Sequence, residues 1–253
     1  MKDQLGQFLL TQVVTQPLKP LLSASWPRLH HVGGMAMWTL GLDTLKHKGF
    51  APRTVFDIGV AAGTPQLYGA FPEAHFVLVD PTRQSLPHME RIARRLDAEI
   101  CNFALGDAEG EMEIEARPDD INGATFFKEI GPLGPTDRYR VPVRRFDAAF
   151  PDFSGPVLCK IDVQGAELMV LRGMGEKIAR VDAFILEIGL LATIAEAPEA
   201  YDVIAYLDRQ GFAMFDILGL ERRPLDDALA QMDVLFVKRD SALRADRRWR
   251  SSL

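Results

Sequence analysis

Four acids in this sequence stand at or near the point where an apolar run gives way to small or polar residues. Asp57 lies in Thr54-Val55-Phe56-Asp57-Ile58-Gly59-Val60-Ala61-Ala62-Gly63-Thr64, and Asp80 closes His75-Phe76-Val77-Leu78-Val79-Asp80. Asp162 closes Val157-Leu158-Cys159-Lys160-Ile161-Asp162, and Glu187 closes Ala183-Phe184-Ile185-Leu186-Glu187. Each run has the nearly continuous apolar character of a strand covered on both faces. The acids then gather on the carboxyl edge of a parallel sheet, where open α/β folds bind ligands. Gly59, Ala61 and Gly63, at alternate positions, leave the backbone of the first turn accessible to such a ligand.

Two cofactor classes use a glycine-rich turn after a first strand. A dinucleotide fold needs Gly-x-Gly-x-x-Gly, whereas the order here is acid-x-Gly-x-Ala-x-Gly. An acid at Asp57 disfavours a diphosphate and favours an ammonium group, such as the one on the methionine part of S-adenosylmethionine. Asp80, followed by Pro81, is placed to hydrogen-bond ribose hydroxyls. A third strand is expected over Ala98 to Ala104, with Ala104 and Leu105 at its end as a resting place for an adenine ring; Asp107 there reads equally well as a turn residue.

The elements that hold these residues follow from periodicity and breakers. Leu5, Phe8, Leu9, Val13 and Val14 have helical spacing before Pro17 and Pro20, and Met35, Trp38, Leu42 and Leu45 continue as an amphipathic helix to Gly49. Residues 1–50 are therefore expected to form an N-terminal helical extension or lid. His30 and His31 precede Gly33-Gly34 within it, either as loop contacts or as part of that lid. Pro81 to Arg95 reads as a helix. From 108 to 156 the strand-helix rhythm lapses into short alternating segments, expected to be an insertion on the substrate side of a 51–240 domain. Asn122 and Thr125, in the polar turn Ile121 to Thr125, are substrate candidates, with ordinary turn chemistry as the competing reading. Further strands are expected at Phe212 to Ile217 and Asp233 to Val237, before a basic tail over 241–253.

Composition narrows the function. At 253 residues the chain suits one domain with an appendage. Its net charge of −6 disfavours a broad nucleic-acid surface. The two cysteines, Cys101 and Cys159, each sit in an apolar run and are expected to be reduced core residues. The first residues do not read as a signal peptide, and no stretch has the length of a membrane span. A cytoplasmic protein with a small-molecule acceptor, no nucleic acid and no membrane insertion is expected; association into oligomers stays open.

The sequence resembles the FkbM family of S-adenosylmethionine-dependent methyltransferases. The resemblance runs from about Thr54 to Val237 and is strongest at Lys160-Ile161-Asp162-Val163-Gln164-Gly165-Ala166-Glu167-Leu168, with Leu171-Arg172-Gly173 after it. Asp57-x-Gly59-x-x-x-Gly63, Asp80-Pro81, Asn102-x-Ala104-Leu105 and Asp233-x-Leu235-Phe236-Val237 extend it. Family members often carry Asn at the position of Ala61, and Thr64-Pro65 is less usual. The resemblance implies a Rossmann-like, class I methyltransferase fold: a seven-stranded, mostly parallel sheet with its last strand antiparallel. It implies methylation of a hydroxyl on a sugar or secondary metabolite. A metabolite-binding or partner-binding member without catalysis is one alternative, and a nicotinamide-dependent oxidoreductase is another, although the latter lacks its glycine fingerprint.

For such a reaction the protein must hold an oxygen nucleophile in line with the methyl group and take its proton. With no histidine at a motif position, Asp162 is the first expected base and Glu187 the second; Asp162 alternatively binds the cofactor's amino group. The same two acids could hold a divalent ion, but they are fewer oxygen ligands than such an ion collects, so a divalent metal is possible but not favoured. Lys160 is expected to pair or snorkel, and Glu167 either to hold Lys160 or cap a backbone amide or, equally, to touch substrate.

Overall fold

The computed structural model describes residues 35–250, apart from 118, 119, 129, 132–134 and 192. In chain order the first elements are helix α1 (35–47), strand β1 (Thr54–Ile58), helix α2 (Pro65–Ala70), β2 (His75–Val79), α3 (Leu86–Ala93), β3 (Ala98–Cys101) and β4 (Ala104–Gly106). Then come β5 (Gly110–Arg117), β6 (Asp120–Thr125), β7 (Asp137–Arg145), α4 (Phe146–Ala149), β8 (Val157–Ile161) and α5 (Glu167–Gly173). The chain continues through β9 (Ala183–Gly189), α6 (Ala200–Arg209), β10 (Phe212–Arg222) and β11 (Leu229–Lys238).

The long apolar runs form a seven-stranded sheet in the order β10-β11-β9-β8-β1-β2-β3. Five of its strands pair in parallel, and β11 is antiparallel to both neighbours. Because successive side chains point to opposite faces, each run supplies two cores. Phe56, Cys159, Phe184 and Phe236 pack against α4, α5 and α6 on one face. Val55, Leu158, Ile185 and Leu235 pack against α1, α2 and α3 on the other. Both cysteines are buried free thiols, and burial, reinforced by Glu99, pushes Cys101 up to about 12. The fold is the expected α/β class with a large, mostly parallel sheet.

A second sheet, in the order β4-β7-β5-β6, fills the region where the rhythm lapsed. Here the structure corrects the sequence. Ala98 to Ala104 is not one strand: the chain leaves the large sheet after Cys101, and Ala104 pairs instead with Val143 of β7. Asn102 marks the break, its side-chain amide donating to the Asp80 carbonyl at 2.8 Å. Ile121 to Thr125 is likewise a strand rather than a polar turn, paired antiparallel with β5. The helix expected over Pro81 to Arg95 begins only at Leu86, because Thr82 and Ser85 are engaged in a buried side-chain cluster around Asp80. Where β4 meets α5 the backbones touch: a Cβ on Gly173 would lie 2.0 Å from the Gly106 carbonyl oxygen.

The helical periodicity from Met35 holds, with Leu42 and Leu45 buried in the core beneath α1. The segment 5–22, His30, His31 and Gly33-Gly34 lie outside the described residues. No described residue of α1 lines the cavity at the carboxyl edge of the large sheet. The basic tail is pinned at its start, where Leu243 is buried and Ser241 caps a short 3-10 turn. Among the described residues no helix is long and apolar enough to cross a membrane.

Candidate active site

On the face that packs against α1, α2 and α3, each apolar row ends in a charged residue near the carboxyl edge. Val55 is followed two positions on by Asp57, Leu158 by Lys160 and Ile185 by Glu187, while Leu235 is preceded by Asp233. Strand register sets these side by side: Asp57 is opposite Lys160, and Glu187 is opposite Asp233. A polar band thus crosses the sheet beneath the ligand edge, and its centre is Lys160.

The Lys160 ammonium is buried and donates to the Gly59 carbonyl at 2.6 Å. It also lies 3.3 Å from both Asp57 Oδ1 and Asp162 Oδ2. Burial alone would depress its pKa, but Asp162 and Asp57 outweigh that and raise it, so it stays charged. Of the alternatives left open for Lys160, the structure shows pairing. Asp57 is fully buried, and its Oδ2 accepts the Tyr68 hydroxyl at 2.5 Å. Burial and Asp57 together raise that phenol's pKa far above the usual range.

The turn after β1 is held from both sides. Gly59 has φ +78° and donates to the Val79 carbonyl at 2.8 Å; a Cβ there would fall 1.7 Å from the Asp162 carbonyl oxygen. Only glycine satisfies both conditions. Ala61, at φ 47°, donates its amide to Asp80 Oδ2 at 2.9 Å. Asp80 Oδ1 accepts from the amide and hydroxyl of Thr82, at 2.8 and 2.7 Å.

A cavity of about 450 Å³ opens over this edge. Of the residues expected from sequence, Gly59, Ala61, Asp80, Pro81, Ala104, Leu105, Asn122, Thr125, Asp162 and Glu187 line it. Asp57 and Gly63 do not: Asp57 lies inside β1 beneath the turn, and Gly63 faces Ile92 and Tyr68. Glu187 is not at a strand tip either, since β9 continues to Gly189, and the residue reaches the cavity from within the sheet.

The sequence matches the profile of the methyltransferase FkbM domain over residues 57–214, more than half of the chain. The chain belongs to the FkbM methyltransferase family. The FkbM turn Lys160 to Glu167 lies between the two sides of the cavity, with Asp162, Val163 and Gln164 on its wall. No curated protein matches the chain in sequence. Among solved structures, a methyltransferase of Thermobifida fusca described as putative superposes with a TM-score of 0.46 at 13% identity, over 82% of this chain and 80% of that one. Magnesium protoporphyrin IX methyltransferase from Synechocystis gives 0.45 at 12% identity, over 82% and 80%. A 1,6-didemethyltoxoflavin-N1-methyltransferase from Burkholderia thailandensis gives 0.44 at 14% identity, over 90% and 92%. Likeness at this level says nothing about acceptor or chemistry.

The side of the FkbM cavity away from Asp80 contains residues that the sequence did not single out. Gln164 Nε2 donates to Asp162 Oδ1 at 3.0 Å and to Glu187 Oε2 at 2.7 Å. Gln231 donates to the same Glu187 oxygen at 3.1 Å. Glu221, Thr193 and Ile194 complete this side. Gln164 was visible between two acids in the motif, whereas Gln231 and Glu221 arrive only through the pairing of β10 and β11. Glu167 caps backbone amides, accepting from Gly165 and Val163 at 3.1 and 3.3 Å. Among the described residues no group of three or more His, Cys, Asp or Glu side chains is arranged to hold a metal ion.

Desolvation dominates the electrostatics here. Burial, then Asp162, Asp233 and Glu167, pushes Glu187 well above the carboxylate range. Burial raises Glu167 to about 7 despite its amide donors. Burial raises Asp233 to about 6 against the hydrogen bond from Trp38 Nε1 at 2.8 Å, with Asp162 adding to the rise. Gly219 makes room for that carboxylate, since a Cβ there would lie 2.2 Å from it. For Asp233 and Glu167 alike, the folded state binds the proton more tightly than the unfolded chain. Their contribution is complete below the ordinary carboxylate pKa and is lost as pH rises through about 6 and about 7. Asp233→Asn keeps an acceptor for Trp38 and removes one titration. It is expected to raise stability at pH 8 by on the order of 2 kcal/mol and to flatten the fall in melting temperature between about pH 4 and 6. Parallel melting curves for the two proteins across that range would refute the assignment.

Proposed function

We propose that this FkbM protein transfers a methyl group from S-adenosylmethionine to an oxygen of a small hydroxylated acceptor. The observation that carries this reading is the convergence of the β1 turn, Asp80 and the Asp162–Glu187 pair on one cavity. Its volume of about 450 Å³ falls within the roughly 300–1,000 Å³ of small-molecule sites.

The residues fit the cofactor. Asp80 Oδ2 spends one acceptor direction on Ala61 and, since a carboxylate oxygen has two, keeps another for a ribose hydroxyl. Ala104, Leu105 and Phe103 offer apolar edges for an adenine ring. Asp162 offers a carboxylate to the amino group. Bound there, S-adenosylmethionine supplies an electrophilic methyl group together with its own leaving group.

Glu187 is the better placed base. Its raised pKa makes it a stronger proton acceptor than an ordinary carboxylate, and two neutral amides orient it. Asp162, fixed by Lys160 and Gln164, positions rather than deprotonates. Asn122 and Thr125 face the cavity from β6, on the side from which an acceptor would be held.

Calorimetric titration of the full chain with S-adenosylmethionine and S-adenosylhomocysteine is the first test. Saturable binding is expected, and Asp80→Ala should weaken it about 10-fold or more, the value of one or two hydrogen bonds to a charged group. In a screen of hydroxylated acceptors, Glu187→Gln should bind the cofactor normally and lose about 10²- to 10⁴-fold in turnover. Absence of cofactor binding by the wild-type protein would end this reading.

A further inference from the structure

Gln164 adopts a backbone conformation that its residue type disfavours. Its φ is +50°, a region where a side chain beyond glycine or asparagine is strained. The surroundings impose it: the Thr125 hydroxyl donates to the Gln164 carbonyl at 2.8 Å, and Gly165 follows at φ +100°. A glycine at 164 would relieve that strain, so the retained side chain calls for a reason of its own.

The reason lies at its end. The two hydrogens of one amide nitrogen are shared between Asp162 and Glu187, at 3.0 and 2.7 Å. Two carboxylates this close repel when both are ionised, and either a proton or a cation between them ordinarily relieves the repulsion. Here a neutral donor lies where a cation would bridge the two acids, beside a Glu187 that burial already disposes to hold its proton, and Gln231 adds a second donor to Glu187. The charged and titratable groups facing Glu187 from the packed elements are Asp162, Glu167, Asp233 and, through Asp162, Lys160.

Building on the methyltransferase reading, we propose that Gln164 is a positioning residue whose amide fills the bridging place between Asp162 and Glu187 that a divalent cation would otherwise take. The site then orients its two acids without a bound ion, and its metal affinity is set by this one side chain. Asparagine lacks the reach, and glutamate would convert the amide bridge into a third carboxylate of a cation site.

The test needs no acceptor. Mn²⁺ alone is titrated into the full-length protein, with free ion followed by electron paramagnetic resonance, for wild type, Gln164→Glu, Gln164→Gly and the double variant Gln164→Glu/Glu187→Gln. Gln164→Glu is expected to bind Mn²⁺ at least 10-fold more tightly than wild type, and the double variant to lose that gain. In ¹³C-carboxyl spectra, the Glu187 titration should move upward in Gln164→Gly, which removes the donor while relaxing the backbone and so remains folded. Equal Mn²⁺ affinity in wild type and Gln164→Glu, or an unmoved Glu187 titration in Gln164→Gly, would overturn the proposal. S-adenosylmethionine titration of the same samples separates the two ideas: loss of cofactor binding in wild type removes the methyltransferase reading, whereas the metal and carboxyl readouts judge the amide bridge.

Discussion

Lys160→Met is expected to lower the melting temperature by about 10 °C or more and to abolish measurable cofactor binding. The substitution keeps the length of the stem and removes the charge, leaving the fully buried Asp57 without its cation and Asp162, which opens onto the cavity, without its partner. Breaking a buried ion pair from one side costs about 3–5 kcal/mol, which in a chain of this size corresponds to roughly 2–4 °C per kcal/mol. Binding suffers for a separate reason: the Gly59 carbonyl loses the donor that ties the β1 turn to the β8 turn. Arginine should not rescue, because its planar fork cannot reproduce three acceptors around one nitrogen. A variant that melts within about 2 °C of wild type would show that the buried charge is not what holds the edge together.

The second large effect is expected at Gly59. An alanine there must both adopt φ +78° and displace the Asp162 carbonyl from 1.7 Å, and backbone yields less readily than a side chain. Gly49→Ala provides the reference, since Gly49 has φ +86° with nothing within 4 Å of a new Cβ. The conformational part alone, on the order of 1–2 kcal/mol, should appear in Gly49→Ala with cofactor affinity untouched. Gly59→Ala should lose more stability than that and at least 10-fold in cofactor affinity by calorimetry. Equal melting points in the two variants would mean that the turns are less tightly apposed than their geometry indicates.

Much of this was legible in the sequence, for physical reasons. β1, β2, β8 and β9 are covered on both faces, so their runs stand out without tertiary information. The same property hid the depth of the acids. Asp57 and Glu187 are inside strands, and an apolar run interrupted by an acid reads like one that ends there. The change of sheet after Cys101 was not legible, because what marks it is not local: Asn102 donates to the Asp80 carbonyl, and Ala104 finds its strand partner in β7, far along the chain. Ile121 to Thr125 carries Asn and Gly and has turn composition, yet β5 supplies a partner that makes it a strand. Gln231 and Trp38 reach the polar band from distant parts of the chain, so no local pattern could announce them.

The contact between Gly106 and Gly173 gives the small sheet one fast end and one free end. β4 packs backbone to backbone on α5, the helix that follows the turn bearing Asp162, and the contact leaves no room for a side chain at Gly173. β6 is an edge strand whose register against β5 shifts between Glu115 and Arg117, and the Thr125 hydroxyl donates to the Gln164 carbonyl. β6 is therefore a cavity wall that is paired on one side alone.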